Sequence, residues 1–271
     1  MEHVTPMVFL IGSTQVDFAE TRAWLDFLGA DQYKLPTDDK IQMGALLVQL
    51  CAKRCYKSYQ VGLNPNITKV RDDMTAFIDN ILKVGHGSVL EHVSFSFALE
   101  NVSRVFTAEM NRHRAGMAIS EGSMRYISFE DIPYWVPTSI RADSSDSPQV
   151  RLAKKLSRDV FDRAFQQAEE NYRELMTIWN YDEAITKFSQ KKQLTSMFRR
   201  IIPQGVATGG VWTGNLRALR HIFQLRCSQY AEEEICLVAS LMLTRMIESE
   251  SVIFKDFYLE DGYWKSKYNK V

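Results

Sequence analysis

The alternation of apolar and polar positions predicts a mixed chain of strands and helices. Residues 93–99 alternate large apolar side chains with small ones, the period-2 pattern of a half-buried strand. Leu47, Leu50 and Cys51 instead recur at the spacing of one helix face. The predicted strands cover residues 8–12, 93–99 and 204–213, and the predicted helices cover 40–57, 68–83, 103–113, 149–178, 184–200, 216–227 and 230–248.

Glycine, proline and small polar residues mark the connections between these elements. Asn66, which follows an Asn-Pro turn, is predicted to cap the helix 68–83. The other predicted connections are an elbow at 85–88, a loop over 114–126 and a polar connector over 139–148. We therefore predict the α+β class, with a central sheet flanked by helices in a single domain over residues 1–271 and a helical insertion over 139–195.

Composition narrows the classes of function. Lys and Arg number 33 against 33 Asp and Glu, so the formal net charge is zero and the chain lacks the basic excess of nucleic-acid-binding proteins. The four cysteines form no CxxC pair and indicate reduced thiols, mostly in the core. The longest apolar run near the start, residues 7–11, is too short for a signal peptide or a membrane span. We expect a soluble cytoplasmic protein that binds neither nucleic acid nor membrane.

The segment that starts at Arg112 concentrates side chains able to bind an anion. Three arginines, one histidine, two serines, one glutamate and two glycines fall within the 14 residues 112–125. Such a set suits a pocket that holds a phosphate and positions a flat polar ring. Glu109 and Arg112 share a face of the predicted helix 103–113, and they either form a surface ion pair or contribute to this pocket.

The predicted helix 216–227 carries a charge on its apolar face. Arg226 lies on the stripe formed with Leu219 and Phe223. Because an unpaired buried charge is costly, Arg226 either meets a partner or ligand, or lies at the stripe's edge and reaches solvent. The polar residues near the start of this helix are Asn215, Arg217 and His221. A helix N-terminus favours a phosphate or an anionic ring.

A further polar segment, residues 86–92, comes just before the predicted strand 93–99. It is either a surface elbow or part of a site. Its His and Glu spacing is not that of a zinc site, and no cysteine pair completes one, so we predict no metal. Its glycines precede a strand instead of following one, which excludes a dinucleotide-binding fingerprint. No cysteine or serine has a neighbouring base that would make it a nucleophile.

Four separated blocks together resemble the signature of the flavin-dependent thymidylate synthase family. The central block is Arg112-His113-Arg114 and, after a spacer, Glu121-Gly122-Ser123-Met124-Arg125-Tyr126. The family's upstream His-x-Ser-x-x-Glu-His is similar to residues 86–92, and its Arg-x-x-x-Pro is similar to residues 199–203. Its last block is matched by Asn215, Arg217, His221 and Arg226. Residues 139–195 carry none of these motifs.

The resemblance implies an α+β enzyme that transfers a methylene group from methylenetetrahydrofolate to carbon 5 of dUMP or UMP. In this family reduced FAD supplies a hydride, NADPH reduces the flavin again, and no enzyme nucleophile attacks the ring. The protein's task is then positioning and electrostatics. The resemblance also implies a homotetramer whose active sites are shared between subunits.

By resemblance, each motif position receives a role. The catalytic residues are Arg226, Ser123 and His86. The substrate-binding residues are Glu109, Arg112, Glu121, Gly122, Ser123, Met124, Arg125, Arg199 and Arg226. The FAD-binding residues are His86, Ser88, Arg112, His113, Arg114, Asn215, Arg217 and His221. Arg226 would hold the uracil and stabilise the charge that develops on it, while Arg199, Ser123 and Arg125 would hold the phosphate and ribose.

Two positions depart from the family pattern. Eight residues separate Arg114 from Ser123, where the family has seven, and the extra residue is expected to shift the loop that meets the ribose and phosphate. Glu109 stands where the family has glutamine, and a carboxylate accepts hydrogen bonds but cannot donate them. It would suit the additional 2′-hydroxyl of UMP, so UMP is a candidate substrate beside dUMP. The alternative to an enzyme is a non-catalytic homologue that binds flavin or nucleotide.

Overall fold

A four-stranded antiparallel sheet lies at the centre of the fold. The strands of the chain are β1 (Glu2–Val4), β2 (Met7–Ser13), β3 (Ser94–Ser103), β4 (Met117–Glu121), β5 (Pro133–Trp135), β6 (Ala207–Asn215), β7 (Phe257–Glu260) and β8 (Tyr263–Ser266). The central sheet has the order β2-β3-β6-β4, while β1 pairs with β5 and β7 with β8. The computed structural model describes residues 2–36, 41–183, 185 and 187–269.

Helices pack mainly against one face of this sheet. They are α1 (Phe18–Phe27), α2 (Met43–Tyr56), α3 (Met74–Val84), α4 (Arg104–Met110), α5 (Pro148–Ile178), α6 (Phe188–Phe198), α7 (Leu216–Arg226), α8 (Glu233–Ser249) and α9 (Ser251–Phe254), with 3-10 turns at Gly87–His92, Thr138–Ile140 and Arg199–Ile201. The helices predicted over 149–178 and 216–227 are confirmed almost to the residue as α5 and α7. Lys40 and Ala184, where two further predicted helices begin, lie outside the described residues, as does Thr186.

Two sequence predictions about local structure are wrong. The helix predicted from residue 68 begins at Met74, because the Asp73 carboxylate caps it by accepting the Thr75 N–H at 2.9 Å; Asn66 lies in a turn. The loop predicted over 114–126 contains β4, since Met117 and Ile119 face the core from the edge of β6. The alternation within β4 is only five residues long, and the glycines on either side obscured it.

The two faces of the sheet differ in what covers them. Phe95, Phe97 and Trp212, each at most 1% exposed, pack with α2, α3, α7 and α8 in the main core. The opposite face carries small residues such as Ser96 and Thr213, whose hydroxyls hydrogen-bond at 2.8 Å. On the edge strand β2, Met7, Phe9 and Ile11 are 47–57% exposed. The second face therefore leaves apolar surface open to solvent.

Residues 124–206 build a second core of their own. Tyr134 stacks on Phe165 with ring centroids 4.0 Å apart, and Tyr172 and Phe198 pack beside them. Met124, from the Arg-rich segment, is buried in the same cluster. The long helix α5 thereby fixes the backbone that follows β4.

Buried carboxylates secure the starts of two helices. Glu234 of α8 accepts the Ser103 N–H at 2.6 Å and its hydroxyl, while Ser103 caps α4 by accepting the Phe106 N–H at 3.1 Å. Burial raises the pKa of Glu234. Glu250 accepts the N–H groups of Gly44 and Ala45 at 2.8 and 3.1 Å and so caps α2. Both contacts satisfy N–H groups that the helices themselves leave open.

The four cysteines are free, but they are less buried than predicted. Cys227 is buried, Cys51 and Cys236 are half-buried, and Cys55 is exposed. The prediction that most of them belong to the core is therefore wrong. Among the described residues, no helix has the length and apolar character needed to cross a membrane.

Candidate active site

The Arg-His-Arg segment and the start of α7 meet although they are far apart in the sequence. Gly116 has a left-handed φ of +72°, and a Cβ at this position would lie 2.5 Å from Asn215 Nδ2. The Gly116 carbonyl accepts the Asn215 N–H at 2.9 Å, and the Asn215 side chain caps α7 by accepting the Ala218 N–H at 2.8 Å. Asn215 therefore joins two of the sequence blocks and caps the helix that carries Arg217, His221 and Arg226.

Arg226 is held by His113 of the central block and by Glu109, which precedes that block. Its Nη1 donates to Glu109 Oε2 at 2.6 Å, and its Nε donates to His113 Nε2 at 2.9 Å. The side chains of Arg226 and Glu109 are only 17% and 28% exposed. The pairing of Glu109 with Arg112 considered above is therefore wrong, because α4 ends at Met110 and Arg112 turns away into solvent. Arg226 thus pairs with protein side chains and does not extend into solvent, which decides between the two alternatives given by the sequence.

The surroundings of His113 favour a neutral imidazole. Burial lowers its pKa first, and Arg226, His221 and Arg112 lower it further, while Glu109 acts in the opposite direction. A neutral ring agrees with the geometry, because Nε2 can accept the Arg226 Nε–H only when it carries no proton. We infer the tautomer protonated at Nδ1 from this hydrogen bond.

The candidate flavin residues of the upstream block line a cavity of about 360 Å³. The 3-10 turn Gly87–His92 brings Ser88 into it, and Arg217 of α7 closes one side. His86 stacks on Tyr56 with ring centroids 6.2 Å apart. The elbow predicted at 85–88 is thus an α3 cap at Gly85 followed directly by a helical turn. Arg217 forms an ion pair with Glu91 at 2.6 Å.

A second cleft, of about 520 Å³, is lined by Arg104, Thr107 and Ala108 of α4. Arg104 forms an ion pair with Glu121, and the other Glu121 oxygen accepts from Asn111 Nδ2 at 3.0 Å. The Trp212 indole in turn donates to Asn111 Oδ1 at 3.1 Å. Burial and the nearby Arg199 lower the pKa of Arg104, which stays charged at neutral pH. Both carboxylate oxygens of Glu121 therefore accept hydrogen bonds from side chains of the protein.

Arg104 and Asn111 were not among the predicted site residues. Arg104 begins α4 and Asn111 caps its C-terminal end, and their seven-residue spacing places both on the side that faces the cleft, but neither belongs to a sequence motif that would have selected it. Arg199 and Met124, which were predicted, line the same cleft. The structure thus gathers Arg199, Met124 and Glu121 around Arg104, and it places Arg226 with Glu109 and His113 in a separate cluster.

The segment after β4 is fixed by α6. Arg125 Nε donates to Ser196 Oγ at 2.8 Å, and Thr195 Oγ1 donates to the Arg125 carbonyl at 2.7 Å. The Ser123 hydroxyl accepts the Arg125 N–H at 3.4 Å. Gly122 N–H donates to the carbonyl of β6 residue 209 at 2.8 Å, and the pairing of β4 with β6 shows no bulge. The extra spacer residue is therefore not accommodated within β4.

Several predicted cations remain available for a ligand. Within the described part of the chain, the side chains of Arg112, Arg114 and Arg199 make no hydrogen bond or ion pair. Arg112 and Arg114 are exposed, and Arg199 is half-buried. No cluster of three or more His, Cys, Asp or Glu among the described residues could hold a metal ion. The site is thus rich in unpaired guanidinium groups, which suit phosphate.

The sequence of this chain is similar to a family of known proteins. Residues 39–249 match the family model described as thymidylate synthase complementing protein. A flavin-dependent thymidylate synthase of Geobacter sulfurreducens is 34% identical over 212 residues, 77% of this chain and 80% of that protein. One of Mycobacterium sp. (strain JLS) is 30% identical over 223 residues, 82% of this chain and 84% of that protein.

Two solved structures share the fold. They are crystal structures of the UMP/dUMP methylase PolB from Streptomyces cacaoi, bound with 5-Br UMP and with 5-Br dUMP. Their TM-scores are 0.61 and 0.63 at 19% and 18% identity, and the matches cover 93% and 94% of this chain and 92% and 96% of theirs. The likeness confirms the predicted α+β class.

Proposed function

Because this chain belongs to the flavin-dependent thymidylate synthase family, we propose that it makes a 5-methyluracil nucleotide in the cytoplasm. It would transfer a methylene group from methylenetetrahydrofolate to carbon 5 of dUMP or UMP and reduce that group to methyl. The observation that carries this proposal is the contact between the Arg-His-Arg segment and α7, through Gly116 with Asn215 and through His113 with Arg226. Four free cysteines agree with a reducing compartment.

The residues predicted to bind FAD suit the chemistry of a flavin adenine dinucleotide. Ser88 in the first cavity offers a hydroxyl, and the α7 N-terminus favours a diphosphate. Arg112 and Arg114, which are not part of the lining of that cavity, offer exposed guanidinium groups. When bound, FAD supplies the hydride that completes the methyl group, and NADPH returns the flavin to its reduced form. The remaining residues of this group are His86, His113, Asn215, Arg217 and His221.

Arg226 is the residue that we assign to the uracil ring. Glu109 and His113 hold its guanidinium in place before a ligand arrives, and a preorganised cation stabilises the charge that develops on the ring during reaction. Arg199 and Arg125 would bind the phosphate, with Ser123 at the ribose and Gly122 and Met124 as the wall. Glu121 acts through its ion pair with Arg104. His86 and Ser123 complete the proposed catalytic set.

Glu109 supports a proposal about the sugar of the nucleotide. Its Oε2 accepts from Arg226, while no hydrogen bond to its Oε1 occurs within the described residues. Oε1 could accept the 2′-hydroxyl of UMP, which dUMP lacks. We expect Glu109→Gln to lower the ratio of kcat/KM for UMP to that for dUMP by roughly fivefold, the value of one hydrogen bond of about 1 kcal/mol. Strict use of dUMP by the unmodified protein would overturn this proposal.

The function as a whole is tested with the purified full chain. We expect a yellow preparation that NADPH bleaches without oxygen, and that forms 5-methyl nucleotide when dUMP or UMP and methylenetetrahydrofolate are added. Chromatography of the nucleotides measures the product. A yellow protein that forms no product with either nucleotide would favour the non-catalytic homologue.

We also propose a homotetramer with shared active sites, in which residues 1–271 form one domain and 139–195 are its insertion. The exposed Met7, Phe9 and Ile11 on the open face of the sheet support burial against another subunit. Light scattering measures the assembly. Mixing Arg226→Ala with Ser88→Ala subunits restores part of the activity only if one site draws these two residues from different subunits.

A further inference from the structure

A cationic cavity of about 380 Å³ lies between α2, α3 and the connection that joins them. Three basic residues line it, Lys53 from α2 and Lys69 and Arg71 from the connection. Within the described residues, no aspartate or glutamate belongs to its lining. None of the three cations occurs in the sequence blocks that define the proposed active site. The cavity therefore concentrates positive charge to which the residue roles proposed above give no function.

Lys53 is an unusual member of this group because it is 1% exposed. Its ammonium donates to the carbonyls of Ser58 at 3.4 Å and Arg71 at 3.2 Å, and it lies over the rings of Tyr33 and Phe77 at 5.4 and 5.3 Å. Burial lowers its pKa, while the charge of Asp72, which is not part of the lining of this cavity, raises it. An ammonium has three donors, and the two hydrogen bonds of Lys53 go to neutral carbonyls, so a donor remains for a ligand. An anion in the cavity would add to the compensation that Asp72 provides.

The cationic cavity adjoins the proposed flavin cavity. Ala52, Tyr56 and His86 line both of them, and the stacked rings of Tyr56 and His86 form the wall between the two. A ligand that reaches past this wall has its other end beside Ser88 and Arg217. The cations are therefore placed for the distal part of a molecule that reacts at the flavin.

We propose that this cavity binds the anionic tail of a co-substrate, with carboxylate or phosphate groups paired to Lys53, Lys69 and Arg71. The inference rests on the proposed function, which requires two such molecules at the flavin. Methylenetetrahydrofolate carries carboxylates on its glutamate tail, and NADPH carries phosphates. Either anion matches three converging cations, and the measurement below distinguishes them.

The test removes the two exposed cations and leaves the buried lysine, which the fold needs. The double variant Lys69→Ala/Arg71→Ala is prepared as the FAD-loaded full chain, and its Kd values are measured by titration for methylenetetrahydrofolate with one and with five glutamates, and for NADP⁺ and NAD⁺, which have no hydride to give to the flavin. We expect one class of ligand to bind roughly tenfold more weakly, as for the loss of about 1.4 kcal/mol of charge pairing. Added salt should also raise the Kd of that class of ligand for the unmodified protein.

A matched control is Arg151→Ala/Lys155→Ala, which removes two exposed cations from α5 and changes the net charge equally. It should leave all four Kd values unchanged. If Lys69→Ala/Arg71→Ala raises the Kd of the folates alone, the cavity binds carboxylates. If it raises the Kd of the nicotinamide nucleotides alone, the cavity binds phosphates. Unchanged binding of both classes by Lys69→Ala/Arg71→Ala would overturn the proposal. Because binding is measured without turnover, a failure of the proposed function, seen as no methylated nucleotide from the unmodified protein, remains distinguishable.

Discussion

Replacing Arg226 with alanine is expected to slow the chemical step far more than it weakens nucleotide binding. The guanidinium is fixed by Glu109 at 2.6 Å and by His113 at 2.9 Å, and its side chain is 17% exposed. A cation held in this way stabilises developing charge without having to reorganise. Its contribution is therefore expected in the transition state rather than in the ground state.

The expected loss is about 2–4 kcal/mol of transition-state stabilisation, roughly 30- to 1,000-fold in kcat. The stability of the fold should change little, because the Glu109 carboxylate that is left behind is 28% exposed and water can solvate it. The pKa of His113 should rise in this variant, since Arg226 is one of the cations that lower it.

Single-turnover kinetics with the nucleotide bound separates the two effects, and an NMR titration follows His113. Arg226→Lys is the matched control, because it keeps the charge but loses the planar fork that contacts both neighbours, and it should give an intermediate rate. A variant with unchanged kcat and a raised KM for the nucleotide would mean that Arg226 binds ground and transition states alike. The argument from preorganisation would then be wrong.

Three further predictions concern stability. Burial raises the pKa of Glu250 to about 6, so its contribution to stability is present at acid pH and is lost as pH rises through about 6. Denaturant unfolding measures the difference in unfolding free energy between Glu250→Gln and the unmodified protein. This difference should change by about 2 kcal/mol between pH 4 and 7, and a constant difference would contradict the prediction. Gly116→Ala should lower the free energy of unfolding by about 1–3 kcal/mol, because Gly116 has a φ of +72° and an added Cβ would clash with Asn215. It should also lower the FAD content, measured as flavin absorbance relative to protein concentration. Asp256→Ala should cost about 3–5 kcal/mol in unfolding free energy because Arg220, which it pairs with at 2.8 Å, is 1% exposed; a loss below 1 kcal/mol would refute that.

The sequence pattern predicted the long elements of this fold and the short strand β2, but it missed β4 and misplaced the start of α3. The helix over 149–178 has many turns of repeating pattern, and Ser147 and Pro148 mark its start. β4 has five residues, and its pairing with β6 is a contact between distant parts of the chain that local pattern does not encode. The late start of α3 depends on one carboxylate, that of Asp73.

The candidate site divides in the same way. Motif resemblance selected Arg226, Asn215 and Arg199 as candidates, because it depends on residue types at fixed spacing. The partner of Glu109 could not be read from the sequence, because it depends on where α4 ends and on the approach of α7. Arg104 belongs to no motif, and only its burial beside Glu121 marks it.

The short helix α4 has a consequence for how this enzyme could change its substrate. Arg104 on one side faces the cleft of Arg199, and Glu109 on the other side holds Arg226. Glu234 of α8 holds the start of this helix through Ser103, and the same seven-residue helix carries contacts to both arginine clusters. A substitution that shifts α4 would therefore disturb both clusters, and with the roles proposed above phosphate affinity and base recognition would change together.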